Sequence, residues 1–79
     1  MTLYGVIIEG VYPPQIANVV DVKENAANLK AYIIEQLPHL IDDVVIKEVD
    51  NFFPNGYVEA DTNVLKAVDD FNQINKTGE

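Results

Sequence analysis

The sequence predicts an α+β domain: a two-layer sandwich in the order β-β-α-β-β-α, with both helices on one face of a small, mostly antiparallel sheet. Three observations lead there. Runs rich in Val, Ile and aromatic residues, without helical period, occupy residues 2–12, 16–23 and 44–53. Apolar residues recur at spacings of three and four over 25–37 and again over 62–74. Pro13-Pro14, Pro38 and Pro54-Asn55-Gly56 punctuate these runs. Segregated sheet-forming and helical segments of this size pack as one helical layer on one sheet. With 79 residues the chain makes a single domain, 1–79, burying about 60–65% of the surface its unfolded form exposes.

The first strand carries Leu3, Tyr4, Val6, Ile7, Ile8, Val11 and Tyr12. Apolar residues at both odd and even positions predict a strand covered on both faces, central in its sheet. Pro13-Pro14 ends it, since neither residue donates to a ladder and each restricts the residue before it. Ile16–Lys23 reads as a second strand antiparallel to the first, with a helix as the alternative. From Asn25, placed as N-cap with Glu24 near the positive end of the dipole, Ala26, Leu29, Ile33 and Leu37 form a helical stripe. Ala27, Ala31 and Ile34 widen that stripe, and Pro38 stops the helix. Val44–Phe53 and Tyr57–Asp61 read as a β-hairpin around Pro54-Asn55-Gly56. Thr62 then caps a second helix with Val64, Leu65, Val68, Phe71 and Ile74 inward, and Asn75–Glu79 is expected to fray.

Charge is the most informative property of the composition. Thirteen Asp and Glu oppose five Lys and no Arg, a net charge of −8. Binding to nucleic-acid backbones requires cations that displace condensed counterions, so no direct nucleic-acid contact is expected. Residues 1–40 hold four acids and two lysines, whereas 41–79 hold nine acids and three lysines. The acidic character belongs to the second half.

The chain has no Cys and no Ser. Disulfides and thiolate metal sites are thereby excluded, and a reducing, cytoplasmic setting is expected. The N-terminus lacks the basic and apolar regions of a signal peptide, and no run reaches membrane-spanning length. His39, the single imidazole, sits at the helix exit where it meets the negative end of the dipole. No catalytic residue, metal site or cofactor is expected. Residues 51–62 place Gly56 at position six of a calcium loop, but Phe53 and Thr62 stand where that loop needs carboxylate ligands.

The hairpin carries the candidate site. With a loop of two or four residues, Glu48, Asp50, Glu59 and Asp61 share one sheet face. Like charges then oppose each other across the ladder, which a basic partner on that face would relieve. With a three-residue loop the pairs separate onto opposite faces. Carboxylates two residues apart on a strand lie about 6.6–6.8 Å apart, comparable to successive phosphates. Phe52 and Phe53 cannot both point inward from one strand, so one of them, with Tyr57 beside the same turn, is expected to form an exposed aromatic contact point ringed by acids.

The succession Tyr4–Glu9, Val19–Ala27 and Val45–Asp50 resembles the strand, strand, helix, strand layout of several small uncharacterised phage and bacterial β-β-α-β domain families, over about residues 3–50. That resemblance implies no particular activity and points to a phage or mobile-element origin. Eight Asn and eight Ile beside no Arg and no Ser agree with an A+T-rich coding sequence. The expected function is therefore protein–protein interaction: inhibition of a basic, nucleic-acid-binding host defence protein by charge mimicry. The alternative is a homo-oligomeric assembly protein paired through strand edges or through the aromatic tip.

Overall fold

The computed structural model describes residues 2–77. Its elements run β1 (Leu3–Ile8), β2 (Gln15–Val20), α1 (Lys23–Gln36), a 3-10 turn (Pro38–Leu40), β3 (Val44–Val49), β4 (Val58–Glu59) and α2 (Thr62–Thr77). The strands and helices follow roughly the expected β-β-α-β-β-α order, with the 3-10 turn added, in an α+β fold with a four-stranded mixed sheet. The order of strands within that sheet is β3-β1-β2-β4. β1 pairs antiparallel with β2 and β3, and β2 pairs in parallel with β4.

β1 is central because it is apolar on both faces. Val6 and Ile8 point into the cluster under the helices, with Ala26, Leu29, Ile33, Val64 and Val68. Leu3 and Ile7 point the other way, with Ile16 and Val19 of β2. The strand ends at Ile8 rather than Tyr12, because Gly10 turns the chain with φ +93°. A β-bulge sets Ala17 and Asn18 together opposite Val6, so that Ile16 and Val19 fall on one face while Ala17 and Val20 pack on the other.

α1 begins at Lys23, two residues before the expected cap. Val22 occupies the cap position in an extended conformation, and its carbonyl accepts from the amides of Asn25 and Ala26. Lys23 and Glu24 are good helix formers, and Asp21 closes β2 ahead of them, which ends the expected strand at Val20. The Leu37 amide still donates to the Ile33 carbonyl at 2.8 Å, and Pro38 permits no further turn. α2 meets α1 through the rings of Tyr32 and Phe71, whose centroids are 5.6 Å apart. The helix continues to Thr77, three residues into the segment expected to fray, while Gly78 and Glu79 lie outside the described residues.

The expected hairpin is not formed. β3 and β4 lie at opposite edges of the sheet, separated by β1 and β2. The strand stops at Val49 because Asn51 accepts, through Oδ1, a 3.0 Å hydrogen bond from the Phe53 amide, an Asx turn that bends the chain away. Residues 50–57 then cross beneath the sheet as a strap, on the face opposite the helices, and Tyr57 packs with Leu3, Ile7, Ile16 and Val19. Three strand spacings and one strand length make a diagonal of about 22 Å. The nine peptide steps from Val49 to Val58 reach about 30 Å, so the strap spans the sheet without being taut. The path from β2 to β3 passes above the sheet as α1, and the return from β3 to β4 passes below it. Both crossings therefore wind in one sense.

Candidate interaction surface

The four carboxylates singled out in the sequence separate into four places. Glu48 stands on β3 opposite Tyr4, on the helix-bearing face at one edge. Asp50 opens the strap. Glu59 stands on β4 beside Ile16, at the other edge. Asp61 directly precedes α2, so Thr62, expected as the cap, is instead the first helical residue; the Asp61 carbonyl accepts from the Leu65 amide at 3.0 Å, and its Oδ1 accepts from Gln15 Nε2 at 3.4 Å. The four carboxylates therefore do not face one another across a ladder, and no phosphate-like row forms. That expectation depended on the hairpin, and the strand order removes it.

The aromatics behave differently. Phe52 and Phe53 are exposed at 68% and 56%, while Tyr57 is half-buried against the underside of the sheet. The strap rather than strand alternation directs them, so both phenylalanines stay at the surface. They line one groove with Glu59, Ile16, Val19 and Leu65. Ile16, Val19 and Leu65 were not legible as site residues, because only the strap brings residues 52–53 beneath β2. The sequence signal that reveals the strap is Asp50-Asn51, a strand terminator directly after Val49.

A second hollow lies on the helix-bearing side, at the end of the sheet where β1 finishes and β2 begins; there Gln15, His39, Asp43, Asp61 and Asn63 meet Ile8, Leu37, Leu40 and Val64. Its volume of about 100 Å³ is well below the roughly 300–1,000 Å³ of small-molecule sites. His39 is exposed in the 3-10 turn that follows α1. Asp43 is tied to the fold: its carbonyl accepts from the Glu9 amide at 2.7 Å, and its carboxylate lies against Gly10. Among the described residues no three His, Asp or Glu side chains converge as a metal centre would need.

No carboxylate is buried among the described residues, and one ion pair forms, between Lys47 Nζ and Glu9 Oε2 at 2.5 Å. The hydrogen bond to Glu9, reinforced by that carboxylate's charge, holds the Lys47 ammonium above the usual 10.5. A cation whose folded-state pKa is raised contributes stability fully below its unfolded value and loses it as pH rises through the folded value. Urea titrations are therefore expected to show stability falling above pH 10.5, with that limb reduced in Lys47→Gln. An identical alkaline limb in the variant would assign the loss to other groups.

The chain matches no family model, no curated protein and no solved structure. Among the described residues no helix is long and apolar enough to cross a membrane.

Proposed function

We propose that this chain is a non-enzymatic interaction protein of a phage or other mobile element, which occupies the basic surface of a host nucleic-acid-binding protein, such as a defence nuclease, in the host cytoplasm. The observation that carries the reading is the groove in which two exposed phenylalanines sit beside Glu59, on a molecule of net charge −8 whose carboxylates, Glu9 apart, have no cation paired with them among the described residues. A strongly negative body is steered toward positive clefts and competes there with nucleic acid. Charge alone gives rate and orientation; desolvated aromatic side chains supply the affinity. Phe52 and Phe53 provide that second component, and the strap holds them on the outer side of the sheet.

The test is capture of partners from nuclease-treated host lysate, followed by competition with duplex DNA. A stoichiometric nucleic-acid-binding partner, released by DNA and by raised salt, is the expected result. Asp50→Lys with Glu59→Lys exchanges two exposed carboxylates for amines without touching the core, and is expected to abolish binding while leaving the circular dichroism spectrum unchanged. Binding that survives this exchange, or that DNA does not displace, would overturn charge mimicry.

A further inference from the structure

Eight asparagines stand in the chain, and Asn55 is the one followed by a glycine. Asn55 and Gly56 form a turn of the strap and are both exposed. Among the described residues the Asn55 carboxamide makes no hydrogen bond and the Gly56 amide donates none. Gly56 has φ +93°, and a Cβ there would meet nothing within 4 Å. The other seven asparagines each precede a residue with a side chain. Asn18 lies in β2, Asn25 and Asn28 in α1, and Asn63, Asn72 and Asn75 in α2, while Asn51 is held by its Asx turn to the Phe53 amide.

Asparagine is a thermolabile residue, because the backbone nitrogen of the next residue can attack its carboxamide carbon. The attack is intramolecular and gains accordingly from proximity. A fold opposes it in three ways: by hydrogen-bonding the nitrogen that must lose its proton, by fixing the dihedral angles that must rotate, and by crowding the new ring with the next side chain. At Asn55 all three are missing. The nitrogen is unbonded, the pair lies outside every helix and strand, and the next residue is glycine, which crowds least and rotates most freely.

We propose that Asn55-Gly56 is a self-modification site, at which the chain converts its own carboxamide to a carboxylate through a cyclic imide. In the first step hydroxide removes the Gly56 amide proton and the nitrogen bonds to Asn55 Cγ. The Cγ–Nδ2 bond breaks, and the departing nitrogen takes up a proton and leaves as ammonia. In the second step one water opens the imide at either carbonyl. Cleavage of the new bond to Cγ leaves aspartate in an unaltered main chain; cleavage at the main-chain carbonyl of residue 55 leaves isoaspartate, with the chain routed through the side chain. Water is the one reagent consumed and ammonia the one product released. Either isomer adds a negative charge to the −8 of the chain, in the strap that presents Phe52 and Phe53. The isoaspartyl form lengthens the main chain by one methylene, which a strap that is not taut takes up. The chemistry is independent of the partner reading.

Warm incubation at mildly alkaline pH, followed by tryptic mapping with fragmentation that separates the two isomers, tests the site. Cleavage after Lys47 and Lys66 gives one peptide that holds Asn55 together with Asn51 and Asn63 as internal controls. Asn55 is expected to convert first, to both isomers, with one ammonia released per converted chain. Its rate in native buffer is expected to stay within about tenfold of the rate in guanidinium chloride, a barrier difference below about 1.4 kcal/mol, because the fold restrains neither atom. Gly56→Ala places a methyl group in open space and is expected to slow the conversion. Asn55→Gln keeps the carboxamide but demands a larger ring, and is expected to abolish it. Earlier conversion at Asn51 or Asn63, an undiminished rate in Gly56→Ala, or a native rate more than about tenfold below the unfolded one overturns the proposal.

Discussion

Ile7→Ala is expected to cost about 3 kcal/mol, within the range for truncating a buried isoleucine, and close to the cost of Ile33→Ala under the helices. Both side chains are 0% exposed, yet they lie on opposite faces of the sheet. Ile33 belongs to α1 and is enclosed between the helical layer and the sheet, whereas Ile7 of β1 owes its cover to the strap that carries Tyr57. A hairpin between β3 and β4 would leave that underside open, and the same substitution would then cost less than about 1 kcal/mol, as at other surfaces. For a domain of this size about 3 kcal/mol is a large share of the 5–15 kcal/mol that proteins typically hold. Urea unfolding of both variants, with unchanged m-values, provides the comparison. Equal losses support the strap as a true second covering. A negligible loss at Ile7 would show that residues 50–57 do not sit against the sheet.

Gly10→Ala is expected to destabilise by about 2 kcal/mol and Gly56→Ala by about 1, since a left-handed conformation costs an L-residue about 1–2 kcal/mol. Both glycines have φ +93°. A Cβ at Gly56 meets nothing within 4 Å, whereas at Gly10 it falls 2.6 Å from Asp43 Oδ1. The difference between the two variants is therefore steric, and it acts on the residue whose carbonyl ties Asp43 to Glu9 at the end of the β1–β3 ladder. Repeating Gly10→Ala in an Asp43→Ala background should recover that difference and leave the conformational part. Equal costs at Gly10 and Gly56 in the unmodified background would show that Asp43 swings aside freely.

The candidate site illustrates how far local pattern reaches. The sequence marked Phe52, Phe53, Glu59 and the surrounding acids, and the groove includes the first three. The partition into Glu48 on one edge, Asp61 at the start of a helix and Glu59 beside the phenylalanines was out of reach, because it depends on which strands are neighbours. Pro54-Asn55-Gly56 reads equally well as the tip of a hairpin and as a bend in a crossing strap. Asp50-Asn51 is the residue pair that separates these readings: an Asx turn there ends β3 four residues before the expected Phe53.

The rough order of elements, the central place of β1 and the inward Ala26, Leu29 and Ile33 of α1 and Val64 and Val68 of α2 followed from the sequence alone, because each rests on side-chain period and on proline breaks within a few residues. Ala27, Ala31 and Ile74, expected within the stripes, are exposed, because the sheet and the partner helix cover a narrower band than the period marks. Neighbourhood in the sheet did not follow from the sequence. β4 has two residues and no apolar alternation with which to choose β3 over β2. Its place was decided by burial of the underside: Leu3, Ile7, Ile16 and Val19 need a cover that no helix supplies, and only a chain crossing from one edge to the other provides it. That choice is made between residues more than forty positions apart, where period and turn chemistry carry no information and the gain from covering apolar surface determines the result.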